Sequence, residues 1–182
     1  METVFVFLAD GFEEIEALAT VDVLRRAGLD VKTVSVTKKE MVKGAHGVLV
    51  AADLLFEKGE FSKALALVLP GGMPGAETLK SHQGLAELLK SQDAQKKTIG
   101  AICAAPMVLG SLGLLKGRKA TCYPGFEDQL KGAKATGNLV EKSDHIITGK
   151  GPGATFEFAF KLVETLKSKE IVGELKSGMC IE

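Results

Sequence analysis

Three short, almost wholly apolar runs restrict the fold more than any other feature of this chain: Thr3–Leu8 (TVFVFL), Ala64–Leu69 (ALALVL) and Thr98–Ile102 (TIGAI). Each is too short for a helix, and none alternates as a strand with one wet face would. They read as strands buried on both faces, the kind found in parallel sheets covered by helices. The periodicity changes between them. After Glu13-Glu14-Ile15-Glu16-Ala17, the apolar residues Leu18, Val21, Val23, Leu24 and Ala27 mark a helix. Arg25 and Arg26 fall in its last turn and Gly28 ends it, as the helix dipole and a left-handed cap prefer. Residues 31–36 form the next strand. Helical patterns recur around Leu85, Leu88 and Leu89, again over Phe156, Phe158, Ala159, Leu162, Val163 and Leu166 with Thr155 as N-cap, and last over residues 170–176. Residues 118–123, 138–142 and 144–148 read as further strands, and residues 41–52 as a β-hairpin off the main sheet with His46 at its tip. Strands alternating with helices predict an α/β fold: a mostly parallel sheet sandwiched between helices, plus the small hairpin.

The totals exclude several classes. The chain of 182 residues suggests one domain, spanning 1–182 without repeat or linker. Lys+Arg and Asp+Glu are 23 each, which gives no electrostatic case for nucleic acid or an anionic membrane. Trp is absent and Tyr123 is the one tyrosine, so stacking platforms for bases are not expected. No apolar run approaches the ~20 residues of a membrane span. Three cysteines (Cys103, Cys122 and Cys180) and a start without a basic leader point to free thiols in a reducing, cytoplasmic setting. With no CxxC and no Cys/His cluster, a zinc site is disfavoured and no metal or cofactor is expected. The GxGxxG and GxxxxGK[ST] phosphate signatures are missing.

Chemistry concentrates at strand ends. In Gly100-Ala101-Ile102-Cys103-Ala104-Ala105-Pro106, a strand turns directly into a helix with small residues about the join. That is the layout of a nucleophile elbow, with cysteine where hydrolases carry serine, and the helix end favours thiolate. A buried structural thiol is the competing reading. Glu13, Glu14 and Glu16 follow the first strand. Acidic residues there complement the helix dipole, yet one can point back into the crevice above the sheet. Gly71-Gly72 follows the second apolar run, where the backbone can approach a neighbour closely or aim an N–H at an anion. In a parallel sheet these three ends share one edge, and that convergence favours a catalytic Cys103. His46 is a candidate base or interface residue, against the plainer reading of a solvated loop histidine.

Five blocks in order resemble the ThiJ/PfpI superfamily, and within it the DJ-one (parkinsonism-associated deglycase) branch. They are residues 10–16 (DGFEEIE), 21–28 (VDVLRRAG), 68–72 (VLPGG), 101–106 (AICAAP) and 151–159 (GPGATFEFA). The resemblance implies a flavodoxin-like three-layer sandwich and a homodimer. It also implies a low-pKa, oxidation-prone Cys103, with a protonated Glu16 beside the sulfur and the N–H groups of Gly72 and Ala104 facing a bound oxyanion. The implied activity is glyoxalase III or deglycase chemistry on methylglyoxal, glyoxal or their early protein adducts, without a cofactor. The alternative is a redox-sensing stress protein or chaperone whose Cys103 is oxidised to sulfinate. Many relatives carry histidine where this chain has Tyr123, and a phenol titrating near ~10 is a poor base at neutral pH. The resemblance places His46 near the dimer interface.

Overall fold

Strand alternation divides the core in two. In β1 (Thr3–Leu8), Val4, Val6 and Leu8 face one layer of helices, while Phe5 and Phe7 face the other. The computed structural model describes residues 2–181. It continues with α1 (Glu14–Arg26), β2 (Asp30–Ser35), the hairpin strands β3 (Met41–Lys43) and β4 (Leu49–Ala51), and β5 (Leu54–Leu55). β6 (Ala64–Leu69) leads to α2 (Gly75–Ser81) and α3 (Gln83–Ala94), and β7 (Thr98–Ile102) to α4 (Pro106–Ser111). Then come β8 (Lys119–Ala120), β9 (Lys134–Ala135), β10 (Val140–Ser143), β11 (Ile146–Gly149), α5 (Thr155–Leu166) and α6 (Lys169–Gly178).

The main sheet has seven strands in the order β10-β11-β7-β6-β1-β2-β5. All its pairings are parallel except β10 with β11. From β1 the chain steps outward to β2 on one side and later returns to β6 on the other. That reversal opens a crevice at the carboxyl ends of β1 and β6, where doubly wound sheets place ligands. One face of the sheet packs on α1 and α5 through Ala17, Val21, Leu24, Phe158 and Leu162. The other packs on α2, α3 and α4 through Leu79, Leu85, Leu89 and Val108. Each fully buried large side chain contributes roughly 1.5–3 kcal/mol.

Several local readings are corrected. Residues 118–123 do not form a strand of the main sheet. Only Lys119 and Ala120 are extended, paired with β9 in a separate ribbon. The strands read over 138–142 and 144–148 are Val140–Ser143 and Ile146–Gly149, with the turn between them at Asp144, φ 55°. Thr155 is the first residue of α5 and not its cap: its hydroxyl donates back to Pro152 O at 2.8 Å across a short 3-10 turn. Phe156 is exposed on α5, whereas Phe158, Ala159, Leu162 and Val163 are buried. Gly100 serves the neighbouring layer rather than the Cys103 turn, because a Cβ there would stand 2.9 Å from Phe158 Cζ and 3.2 Å from Leu162 Cδ2.

Gly100→Ala is therefore expected to overpack the β7–α5 contact and cost about 1–3 kcal/mol. Urea unfolding checks this as a lower midpoint at unchanged slope.

Candidate active site

Cys103 occupies the step between β7 and α4 at φ 65°, a left-handed conformation that costs a non-glycine residue about 1–2 kcal/mol. Two backbone hydrogen bonds hold it there. Its N–H donates to Gly149 O at 2.9 Å, and its carbonyl accepts from Tyr123 N–H at 2.8 Å. The residue is 8% exposed. The N–H groups of Ala104 and Gly72 donate toward the sulfur and favour negative charge on it. The donors foreseen for an oxyanion thus point at the Cys103 sulfur itself.

Gly71 and Gly72 bring the end of β6 against this turn. The Gly71 N–H donates to Glu16 Oε2 at 2.7 Å, and Gly71 O accepts from Glu13 N–H at 2.9 Å. A Cβ on Gly71 would stand 2.7 Å from Cys103 Cβ and 2.8 Å from Glu16 Oε2. Gly72 lies at φ 86°, and a Cβ there would meet Glu13 N and Gly11 O at 2.4 Å. Both positions need glycine, one for close approach and one also for its dihedral.

The three carboxylates of the α1 entrance have separate tasks. Glu13 is the N-cap of α1, its Oε2 accepting from Glu16 N–H at 2.7 Å. Glu14 turns to the hairpin loop, where its Oε1 accepts from His46 N–H at 2.7 Å and its Oε2 pairs with His46 Nδ1 at 2.8 Å. Glu16 alone enters the site. It is 1% exposed, and its Oε1 has no full hydrogen bond among the described residues. Burial foremost, with the Glu13 charge as a lesser contribution, raises its carboxyl to about 7, while the Cys103 thiol and the Gly71 N–H pull the other way.

The thiol moves upward too. Burial and then the negative charge of Glu16 push Cys103 up to about 12, against the lowering effect of the Ala104 and Gly72 N–H groups. A thiol made acidic by a helix end is corrected accordingly: α4 has six residues and starts only at Pro106, and Cys103 is desolvated. Glu16 and Cys103 instead form a two-proton unit that loses one proton near 7 and the other far higher.

The remaining candidates lie around this unit. Tyr123 supports Cys103 through its backbone, and the residue, 47% exposed, lines a cleft of about 270 Å³ with Pro124, Leu139, Lys150, Gly151 and Pro152. The His46 ring bonds Glu14 rather than the thiol, and this pairing raises the imidazole and lowers the Glu14 carboxyl despite the latter's burial. The Gly149 carbonyl, at the end of β11, was not foreseen.

The model of the DJ-1/PfpI family matches residues 2–165. This chain belongs to the DJ-1/PfpI family. It is 42% identical over 179 residues to protein DJ-1 homolog A of Arabidopsis thaliana, covering 97% of this chain and 46% of that one. The chain thus spans about half the length of that relative. A Caenorhabditis elegans relative named a glutathione-independent glyoxalase is 39% identical over 171 residues, 93% of this chain and 90% of its own. A Pyrococcus abyssi relative named a deglycase is 31% identical over 166 residues, 90% and 99% of the two chains. The solved structure of oxidized Toxoplasma gondii DJ-1 superposes with a TM-score of 0.95 at 41% identity, covering 100% of this chain and 99% of that one. With the sheet order above, these likenesses establish the flavodoxin-like α/β sandwich.

The Glu16 carboxyl gives stability a definite pH dependence. Below about 4.5 it is protonated folded and unfolded; between 4.5 and about 7 only the folded state keeps the proton. Stability contributed by this group therefore falls as pH rises through that window, on the order of 3 kcal/mol in all, and levels off above it. Thermal melts of wild type and Glu16→Gln should agree at low pH and diverge in favour of Glu16→Gln by pH ~7.5.

Proposed function

We propose that the protein is a cofactor-independent, cysteine-dependent glyoxalase/deglycase acting on methylglyoxal, glyoxal or their early protein adducts. The observation that carries this reading is the meeting of a proton-exchanging carboxyl, a thiol and two N–H donors at one strand-end crevice. The names of the Caenorhabditis elegans and Pyrococcus abyssi relatives support the same chemistry.

The Glu16–Cys103 unit carries one negative charge between about 7 and about 12. In its reactive tautomer the proton is on Glu16 and the charge on sulfur, under the Gly72 and Ala104 N–H groups. The thiolate adds to the aldehyde carbon of a 2-oxoaldehyde, and Glu16 gives its proton to the resulting oxygen, forming a hemithioacetal. The carboxylate then takes the proton from that carbon and returns it to the adjacent carbonyl carbon, while the hemithioacetal hydroxyl proton passes to the adjacent oxygen. One carbon is oxidised and its neighbour reduced, so no external oxidant is needed. The product is a 2-hydroxy thioester of Cys103. Water cleaves it, releasing the 2-hydroxy acid (lactate or glycolate) and the thiol. A carboxyl held near 7 suits both proton steps, as acid and base are interchanged most readily near the working pH. Tyr123 has no proton step in this scheme.

A second copy of the chain completes the proposal. Ile15 and Leu18 on α1, and Val48 and Leu49 on the hairpin loop and β4, are exposed apolar residues on two elements that Glu14 ties together. Their burial in a homodimer would remove that apolar surface from water.

Cys103→Ser is expected to abolish methylglyoxal turnover. Glu16→Gln should lower kcat by about 10²–10⁴ and remove the rise of kcat/KM centred near pH ~7. Wild-type turnover by Cys103→Ser would refute the covalent scheme. Light scattering should find a dimer for wild type and a monomer for Leu49→Glu. A monomeric wild type would refute the dimer.

A further inference from the structure

The entrance to α1 holds a donor set that the proposed reaction does not use. Glu13 Oε1, Glu14 Oε2 and His46 Nδ1 all lie within 4.8 Å of one another. Nδ1 is 2.8 Å from Glu14 Oε2 and 4.0 Å from Glu13 Oε1. Both carboxylates are nine-tenths buried side chains. Each uses its other oxygen on backbone: Glu13 Oε2 accepts from Glu16 N–H, and Glu14 Oε1 from His46 N–H. The remaining oxygens are thereby fixed in place and turned toward one point. Glu13 Oε1 in particular accepts no hydrogen bond among the described residues, and its side chain is only 10% exposed. A carboxylate oxygen held 4.0 Å from an imidazole nitrogen, beside a second carboxylate oxygen at 2.8 Å, gathers three ligand atoms around one point.

We propose that Glu13, Glu14 and His46 form a binding site for a borderline divalent cation such as Zn²⁺, at the rim of the Cys103 crevice. Two carboxylate oxygens and one imidazole nitrogen make a three-donor face with open positions, which suits Zn²⁺ and its transition-metal neighbours. Ca²⁺ needs six to eight oxygens, and Mg²⁺ retains its water, so neither is matched by this set. Donor atoms around a tetrahedral ion are roughly 3.3 Å apart, between the two separations found here, so small side-chain rotations close the site. The cation replaces the proton shared by Nδ1 and Glu14 Oε2, and that proton leaves to solvent. The backbone N–H groups of Glu16 and His46 serve as the outer hydrogen bonds that orient the two carboxylates. In the single chain the His46 side chain is 72% exposed, so an ion can reach the site before or between subunit contacts. The proposal does not depend on the glyoxalase reading.

Zn²⁺ titrated by calorimetry into the full chain at about pH 7.5 tests it, with proton release followed in buffers of different ionisation enthalpy. Wild type and Cys103→Ser are expected to bind one equivalent alike, releasing a proton. His46→Ala should weaken binding tenfold or more. Glu13→Gln keeps an oxygen to cap α1, so it should fold as wild type and also bind at least tenfold more weakly. Unchanged affinity in His46→Ala places the ion elsewhere and overturns the proposal. So do loss of binding in Cys103→Ser, equal affinity for Mg²⁺, and no Zn²⁺ binding at millimolar concentration.

Discussion

The site depends on the two-way clasp at Gly71. One peptide unit's length of chain donates its N–H to Glu16 and accepts from the N–H of Glu13. It ties the end of β6 to the start of α1 across the point where the strand order reverses. Cys103 then fits only because residue 71 has no side chain. A parallel sheet brings three strand ends to one edge without setting their distances. The clasp sets them, and it uses backbone atoms that no side-chain motif advertises.

Much of the frame was legible in the sequence. The apolar runs at Thr3–Leu8, Ala64–Leu69 and Thr98–Ile102 are strands as read, because full burial on both faces leaves no polar alternation. The sharp strand-to-helix turn was legible in the small residues about Cys103, which takes φ 65° there, although the same residues also allowed a buried structural thiol. Where side chains gave way to backbone, reading failed. Thr155 has the chemistry of an N-cap, but the short turn at Pro152 puts it one position too late, and its hydroxyl goes to a carbonyl instead. Gly100 looked like room for the elbow and is room for Phe158, a partner 58 positions away in the chain whose approach no local pattern encodes.

The three glutamates show the same limit at the site itself. In sequence, Glu13, Glu14 and Glu16 are interchangeable first-turn carboxylates. Their separation comes from helical geometry. Glu13 precedes the first turn and can fold back on the N–H of Glu16. Glu14 projects toward a hairpin more than thirty residues away. Glu16, two positions further round, faces the sheet edge and is buried. Burial accounts for its raised carboxyl, and that depends on the whole fold rather than on any neighbour in sequence. The same distance hides the cation site: a Cys/His spacing rule reads the chain locally, whereas this donor set closes only when the hairpin folds over α1.

The tyrosine at position 123 then loses its weight as a departure. What the fold takes from this residue is its N–H, donated to the carbonyl of Cys103, and any residue but proline supplies one. The residue lines a cleft with Lys150 and Pro152, and its side chain makes none of the hydrogen bonds that hold the elbow. An imidazole beside a thiol stabilises thiolate by becoming a cation. Here the charge balance is reached differently, because the unit of Glu16 and Cys103 carries a single negative charge above about 7, shared between carboxyl and sulfur. The Gly72 and Ala104 N–H groups bias it toward sulfur, and the Gly71 N–H biases it toward Glu16. These opposed dipoles leave the two tautomers closer in energy than either group alone would allow, and the covalent scheme proposed above needs that balance, since its sulfur must both attack and leave.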